Sequence, residues 1–169
     1  GENLICSKNS PVFGGVYKLV AIENQGKIVP KIKLSENEEK ITNPGFKNIY
    51  RIFDKNTDKA IADLITLNSE EIDEDKPLVI FDPIHSWKKK KITKFYTKEL
   101  REKIFDKGKC VYTSPSVMDI REFSKKELGK LWSEVLRFEN PHTYYVDLSK
   151  KLWDMKQKLL HTYSDKFNE

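Results

Sequence analysis

Cysteine is scarce in this chain. Cys6 and Cys110 lie far apart, follow no CxxC pattern and have no histidine close by in sequence. That excludes a zinc site of ordinary spacing and leaves structural thiols in a reducing cytosol as the expectation, with a disulfide between the two as the alternative. Histidine is equally thin: His85, His142 and His161 are too few and too dispersed for a metal or acid–base cluster, and each reads as structural. No apolar run approaches the ~20 residues that span a bilayer. No basic-then-apolar leader opens the chain either, so a soluble, cytoplasmic protein with no membrane partner is expected. Ser7, Ser35 and Ser86 lack the setting of a nucleophile elbow, and Gly14-Gly15 is neither a Walker loop nor a dinucleotide fingerprint. The sequence begins without methionine, and residues 1–6 read as the middle of a strand, so a piece of a longer protein is expected.

A strong charge of one sign is also lacking. The 31 basic and 26 acidic residues leave a net charge of +5, which solubility explains and which is no argument for nucleic acid. With 38% apolar, 11% aromatic and 34% charged residues of both signs, the chain is globular in composition. Its length suits one domain, or one domain with a helical tail.

What is present is β-rich at first. Residues 16–22 and 28–34 read as strands around an Asn24-Gln25-Gly26 turn, and residues 48–55 and 60–67 as a second hairpin around Asn56-Thr57-Asp58. Between them, Ser35 and Glu38 have capping-box spacing, and Thr42-Asn43-Pro44-Gly45 is a turn. The acidic stretch 68–76 reads as a solvated loop with no calcium-site spacing. Further strands are expected at 77–81 and 91–96, then a hairpin around Asp106-Lys107-Gly108. After Ser114 the periodicity changes. A short amphipathic turn begins near Val117, and a second helix is expected from a Ser124–Glu127 capping box with Leu128, Leu131, Trp132, Val135 and Leu136 on one side. A last helix is expected from near Asp147 or Ser149, with Leu148, Leu152, Met155 and Leu159 on one face. The fold class is therefore α+β: a mainly antiparallel sheet or small barrel over about 4–113, followed by two or three α-helices over about 115–163. As domains, this gives a β-rich region 1–113 and a helical tail 114–169 packing on it.

Several stretches together resemble one family. They are Pro11-Val12-Phe13-Gly14-Gly15-Val16-Tyr17-Lys18, Lys33-Leu34-Ser35-Glu36, Glu39-Lys40-Ile41-Thr42-Asn43-Pro44-Gly45, Asn140-Pro141-His142 and Tyr145-Val146-Asp147-Leu148-Ser149. Collinear over about residues 1–160, they are similar to the C-terminal part of nicotinate phosphoribosyltransferases. The resemblance implies an enzyme that joins nicotinate to the ribose of phosphoribosyl pyrophosphate, coupled to ATP hydrolysis, in NAD biosynthesis. It implies magnesium and ATP for the full-length enzyme and no cofactor in this part. It also implies that the catalytic α/β barrel, with the histidine phosphorylated by ATP, lies upstream as this region's partner, and that the whole enzyme is a homodimer. No catalytic residue and no metal ligand is expected here.

The resemblance leaves one substrate-binding candidate: Gly1 and Glu2, at the edge of the family's phosphate loop. There Glu2 departs from the usual threonine, and only its backbone amide suits phosphate. Lys33 and Ser35 fall on another family stretch, where the residues themselves favour a turn-stabilising role. The alternative function is a stand-alone basic module that uses Trp87 with Lys88, Lys89, Lys90 and Lys91 on nucleic acid, by stacking and phosphate neutralisation. The plainer reading of those lysines is a solvated strand edge that discourages association between sheets.

Overall fold

A computed structural model describes residues 15–85 and 87–165. The strands are β1 (Ala21–Asn24), β2 (Lys27–Pro30), β3 (Lys47–Asp54), β4 (Ala60–Leu67), β5 (Leu78–Phe81), β6 (Lys89–Ile92), β7 (Phe95–Glu99), β8 (Phe105–Asp106), β9 (Lys109–Cys110) and β10 (Val146–Ser149). The α-helices are α1 (Val117–Gly129), α2 (Ser133–Leu136) and α3 (Lys150–Asp165), and a single 3-10 turn covers Glu38–Lys40. The architecture is α+β, as expected.

The β3–β4 hairpin forms where the sequence marks it. Asp54 shapes its turn: its carboxylate accepts from the backbone N–H of Asn56 at 2.8 Å and of Thr57 at 2.9 Å, an aspartate turn. In the first hairpin, Gln25 and Gly26 both take positive φ (50° and 74°), as a two-residue turn that matches the strand twist requires. Its strands are shorter than expected and pair only with each other.

Six strands form the main sheet in the order β6-β5-β10-β4-β3-β7. Its two edges, β6 and β7, are consecutive in sequence and joined by Thr93 and Lys94 alone. Such a connection spans at most ~11 Å at ~3.5 Å per residue, whereas six flat strands ~4.8 Å apart would separate the edges by ~24 Å. The sheet therefore curls into a half-barrel. Ile52, Ala62, Leu64, Ile80, Ile92 and Phe95 fill the inside of the curl; the last two flank the connection from opposite edges. The single strand expected at 91–96 is thus two strands, broken at Lys94, whose φ is +54°.

Strand β10 was not foreseen. Val146–Ser149 runs parallel to β4 and antiparallel to β5, so the segment after the helices returns to the middle of the sheet. Four residues give little periodicity, and the apolar spacing that begins at Leu148 runs on into α3, which starts at Lys150. Ser149 is the hinge between them: its hydroxyl accepts from the Leu152 N–H at 3.2 Å and donates to Glu70 at 2.6 Å. Leu148 and Leu152 are both fully buried, and Phe81 stacks on Trp153 at 5.3 Å between centroids. Helix α3 covers β4, β5 and β10. At the entrance to β3, Gly45 takes φ +89°, where any other residue would be strained, and a Cβ there would also have to displace the tip of the Leu67 side chain, 2.9 Å away.

The caps correct two expectations. Ser116, not Ser124, starts α1: its hydroxyl and the Asp119 carboxylate form a reciprocal capping box, and Ser124 sits in mid-helix. The 3-10 turn is capped by Asn37, whose side chain accepts from Glu39 N–H at 2.9 Å, while Ser35 Oγ accepts from Asn37 N–H at 3.3 Å. The acidic loop is also more structured than a solvated connection. Glu70 accepts from Leu67 N–H at 2.7 Å, and Glu74 takes both the N–H and the hydroxyl of Thr97 at 2.6 and 2.8 Å.

Candidate functional site

Gly1, Glu2, Cys6, Gly14 and Ser86 lie outside the described residues. Of the remaining candidates, Lys33 and Ser35 line an open recess of about 620 Å³ together with Lys18, Lys40, Thr42 and Lys47. Both bond within the loop: Lys33 N–H donates to Thr42 Oγ1 at 3.1 Å, and Ser35 holds Asn37. Lys47 donates to the carbonyls of Asn43 and Gly45 at 2.7 and 2.6 Å, and burial lowers its pKa. The geometry is that of a locally cross-braced loop.

Trp87 does not line the cavity to which Lys88, Lys89 and Lys90 contribute. Lys89, Lys90 and Lys91 belong to the exposed part of edge strand β6, where cations discourage sheet-to-sheet pairing. The Trp87 ring is largely exposed and meets His85 edge-on at 5.2 Å. Beside it, a cavity of about 360 Å³ is lined by Asp82, Lys88, Lys89, Lys90, Tyr145 and Asp147. Asp147 is buried without a hydrogen bond to its carboxylate among the described residues. Burial first, and the charge of Asp82 second, push its pKa up, against the pull of Lys90. Asp82 itself serves its turn, accepting from the N–H groups of Ile84 and His85 at 2.9 and 2.7 Å.

The most developed polar cluster fixes α1 to the sheet, and sequence reasoning missed it. Arg51 on β3 faces Asp63 on β4 in register and grips it through two bonds, Nε to Oδ1 at 2.8 Å and Nη2 to Oδ2 at 3.0 Å. Tyr144 donates its hydroxyl to the same Oδ1 at 2.8 Å. Glu127 on α1 receives Arg51 Nη1 at 3.5 Å and Lys98 Nζ at 3.1 Å. The Asp63 bond drives the Arg51 pKa up, and burial followed by the Asp63 bond does the same to Tyr144. The signal available in sequence was an arginine and an aspartate at equal depth in two paired strands. Every member is engaged with another, which suits fastening more than turnover. Among the described residues, no three His, Cys, Asp or Glu side chains group as they would around a metal ion, and no helix is long and apolar enough to cross a membrane. Cys110, expected to be structural, is an exposed free thiol.

The site is thus a sheet curled around an apolar core, with a returning strand in its middle, one long helix behind it and polar groups fastened to one another. The fold is similar to that in the crystal structure of human nicotinic acid phosphoribosyltransferase, with a TM-score of 0.72 at 24% identity over 87% of this chain and 27% of that one. Residues 46–156 match the nicotinate phosphoribosyltransferase C-terminal domain, and the chain belongs to that family. Among relatives, nicotinate phosphoribosyltransferase of Bacillus subtilis is 40% identical over the whole chain and 34% of its own length. The enzyme of that name from Dictyostelium discoideum is 32% identical over 94% of the chain and 28% of its own length. The chain thus spans about a third or less of the relatives it matches. The stand-alone nucleic-acid reading finds no support among them.

Proposed function

We propose that these residues are the C-terminal region of an enzyme that converts nicotinate and phosphoribosyl pyrophosphate, with ATP, to nicotinate mononucleotide in NAD biosynthesis. In this reading the region is structural. It packs on an upstream α/β barrel that carries the chemistry, and the complete enzyme is a homodimer that uses magnesium on the pyrophosphate. The observation that carries the reading is the family match over residues 46–156, joined to a chain that covers only 34% of its Bacillus subtilis relative. The fastened state of the polar groups supports the structural role. Magnesium and ATP belong to the whole enzyme, and no step through either is assigned to residues here. Gly1 and Glu2 remain candidates for backbone contact with the 5-phosphate of the substrate.

A chimera tests the reading: this chain replaces the matching third of the Bacillus subtilis enzyme, and nicotinate mononucleotide is measured. Turnover within about tenfold of the parent, ~1.4 kcal/mol in barrier, is expected. A folded, dead chimera would overturn the assignment.

A further inference from the structure

Residues opposite one another in neighbouring strands share a face of the sheet, and alternate residues along a strand return to it. Ser149 lies opposite Ile80, and Ile80 opposite Lys90. The Asp82 N–H donates to the Lys88 carbonyl at 3.1 Å, which carries the β5–β6 pairing one step past Phe81. Asp147, Asp82, Lys88 and Lys90 therefore lie on the face of Ile80, a core-cluster residue, and with Lys89 and Tyr145 they line the cavity of about 360 Å³. Asp147 is only 6% exposed, and its carboxyl has no hydrogen bond or ion pair among the described residues. A buried polar group in that state gains from any partner the cavity admits. Burial and the neighbouring Asp82 favour its neutral form, which is a hydrogen-bond donor. The ammonium groups of Lys88, Lys89 and Lys90 are equally without an ion pair or hydrogen bond among the described residues. Asp82 is already committed, its Oδ1 accepting from the Ile84 and His85 N–H groups. Three unpaired ammoniums against one occupied carboxylate make the cavity positive. Its lining holds lysines and no arginine, which favours a tetrahedral anion over a planar carboxylate, whose shape the arginine fork matches.

We infer that this cavity binds a small tetrahedral dianion, phosphate or the head of a phosphomonoester, held by Lys88, Lys89 and Lys90 while the Asp147 carboxyl donates a hydrogen bond to one of its oxygens. Trp87 takes no part. An open recess of about 710 Å³ adjoins the cavity, sharing Lys90 and Tyr145 with it, and the remainder of a phosphomonoester extends that way. The inference stands apart from the reading of the chain as part of an enzyme: anion binding and the activity of the chimera are separate measurements.

Sulfate is the probe, because it keeps both charges between pH 5 and 8. The 169-residue chain is titrated with it at constant ionic strength while amide chemical shifts are followed. Saturation at one site with a Kd of about 1 mM is expected, with shifts centred on Asp82, Lys88, Lys90 and Asp147. Lys90→Ala should weaken binding at least about tenfold. Lys91→Ala removes the same charge from the opposite face of β6 and should change it by less than about twofold. Equal losses from the two would reduce the effect to screening of net charge and overturn the inference, as would no saturation by about 50 mM. The same pair compared in the chimera cancels any sulfate site that Bacillus subtilis residues contribute. Binding should weaken as pH rises from the ordinary carboxylate range through the raised Asp147 pKa, because the ionised carboxylate repels the anion. Asp147→Asn keeps a donor and should bind equally across the range. The groups facing Asp147 are Asp82, Lys88, Lys89, Lys90 and Tyr145, with His85 against Asp82, and imidazole ordinarily titrates in the same window. A pH dependence that survives Asp147→Asn would pass to His85 and remove Asp147 from the site. Glycerol 3-phosphate binding more tightly than inorganic phosphate at pH 8 identifies a phosphomonoester, and equal binding identifies the free anion. A single-stranded oligonucleotide that binds more tightly than either, with a steep salt dependence, would refute a small-anion site.

Discussion

Replacing Asp63 by alanine tests how this fold is fastened. The substitution removes both bonds from Arg51, at 2.8 and 3.0 Å, and the acceptor of the Tyr144 hydroxyl at 2.8 Å. Arg51 is left with Glu127 at 3.5 Å, a weaker replacement at that distance. Breaking a fully buried pair costs ~3–5 kcal/mol, mostly because the surviving charge stays desolvated. The Arg51 side chain keeps 21% of its surface exposed, so water recovers part of that, and about 2–4 kcal/mol is expected from charge-assisted bonds of this number. In a chain of this size that corresponds to a fall in melting temperature of about 4–16 °C. Urea denaturation of wild type, Asp63→Ala, Arg51→Met and the double variant would measure it. The double variant should be less destabilised than the sum of the singles by at least ~1 kcal/mol, because removing both partners leaves no orphan charge. A loss below ~1 kcal/mol for Asp63→Ala, the range of exposed pairs, or strict additivity in the cycle, would refute the reasoning.

Four further outcomes follow from single residues. Leu148→Ala empties a fully buried position between β4 and β5 and should cost about 3–4 kcal/mol in denaturant titration. Asp147→Asn should raise the melting temperature at pH 7 and leave it unchanged near pH 3. The folded chain holds the Asp147 proton more tightly than the unfolded one, so stability is lost as pH rises from the ordinary carboxylate range through the raised folded pKa; a gain equal at both pH values would contradict this. Lys156 is buried, with its pKa lowered by burial, and donates to Asn43 Oδ1 at 3.0 Å and the Pro83 carbonyl at 2.8 Å. Lys156→Ala should therefore destabilise by about 2–4 kcal/mol in the same titration, whereas Trp87→Ala, at a ring 74% exposed, should change stability by less than ~0.5 kcal/mol.

The legible parts of the fold were those with local causes. The β3–β4 hairpin carries its own turn chemistry in Asp54 and lies within one residue of its expected bounds. The stripe through Leu152, Met155 and Leu159 has helical spacing, and the helix is there. What stayed hidden depends on partners distant in sequence. Strand β10 is four residues long, and its place is set by β4 and β5, more than sixty residues earlier. The break at Lys94 arises because the two strands beside it serve opposite edges of one curled sheet, a closure no local window contains. The Ser124–Glu127 spacing satisfied a capping pattern inside a helix that Ser116 had already capped, and Glu127 was drawn instead to Arg51 and Lys98. Family membership was legible because short stretches in fixed order survive where individual contacts cannot be foreseen.

The central claim is that this folded region carries none of the chemistry of its family by itself. The most direct measurement incubates the isolated 169-residue chain with nicotinate, phosphoribosyl pyrophosphate, magnesium and ATP and quantifies nicotinate mononucleotide. The account predicts formation no faster than in the protein-free control. Steady turnover that scales with the concentration of the chain would contradict it.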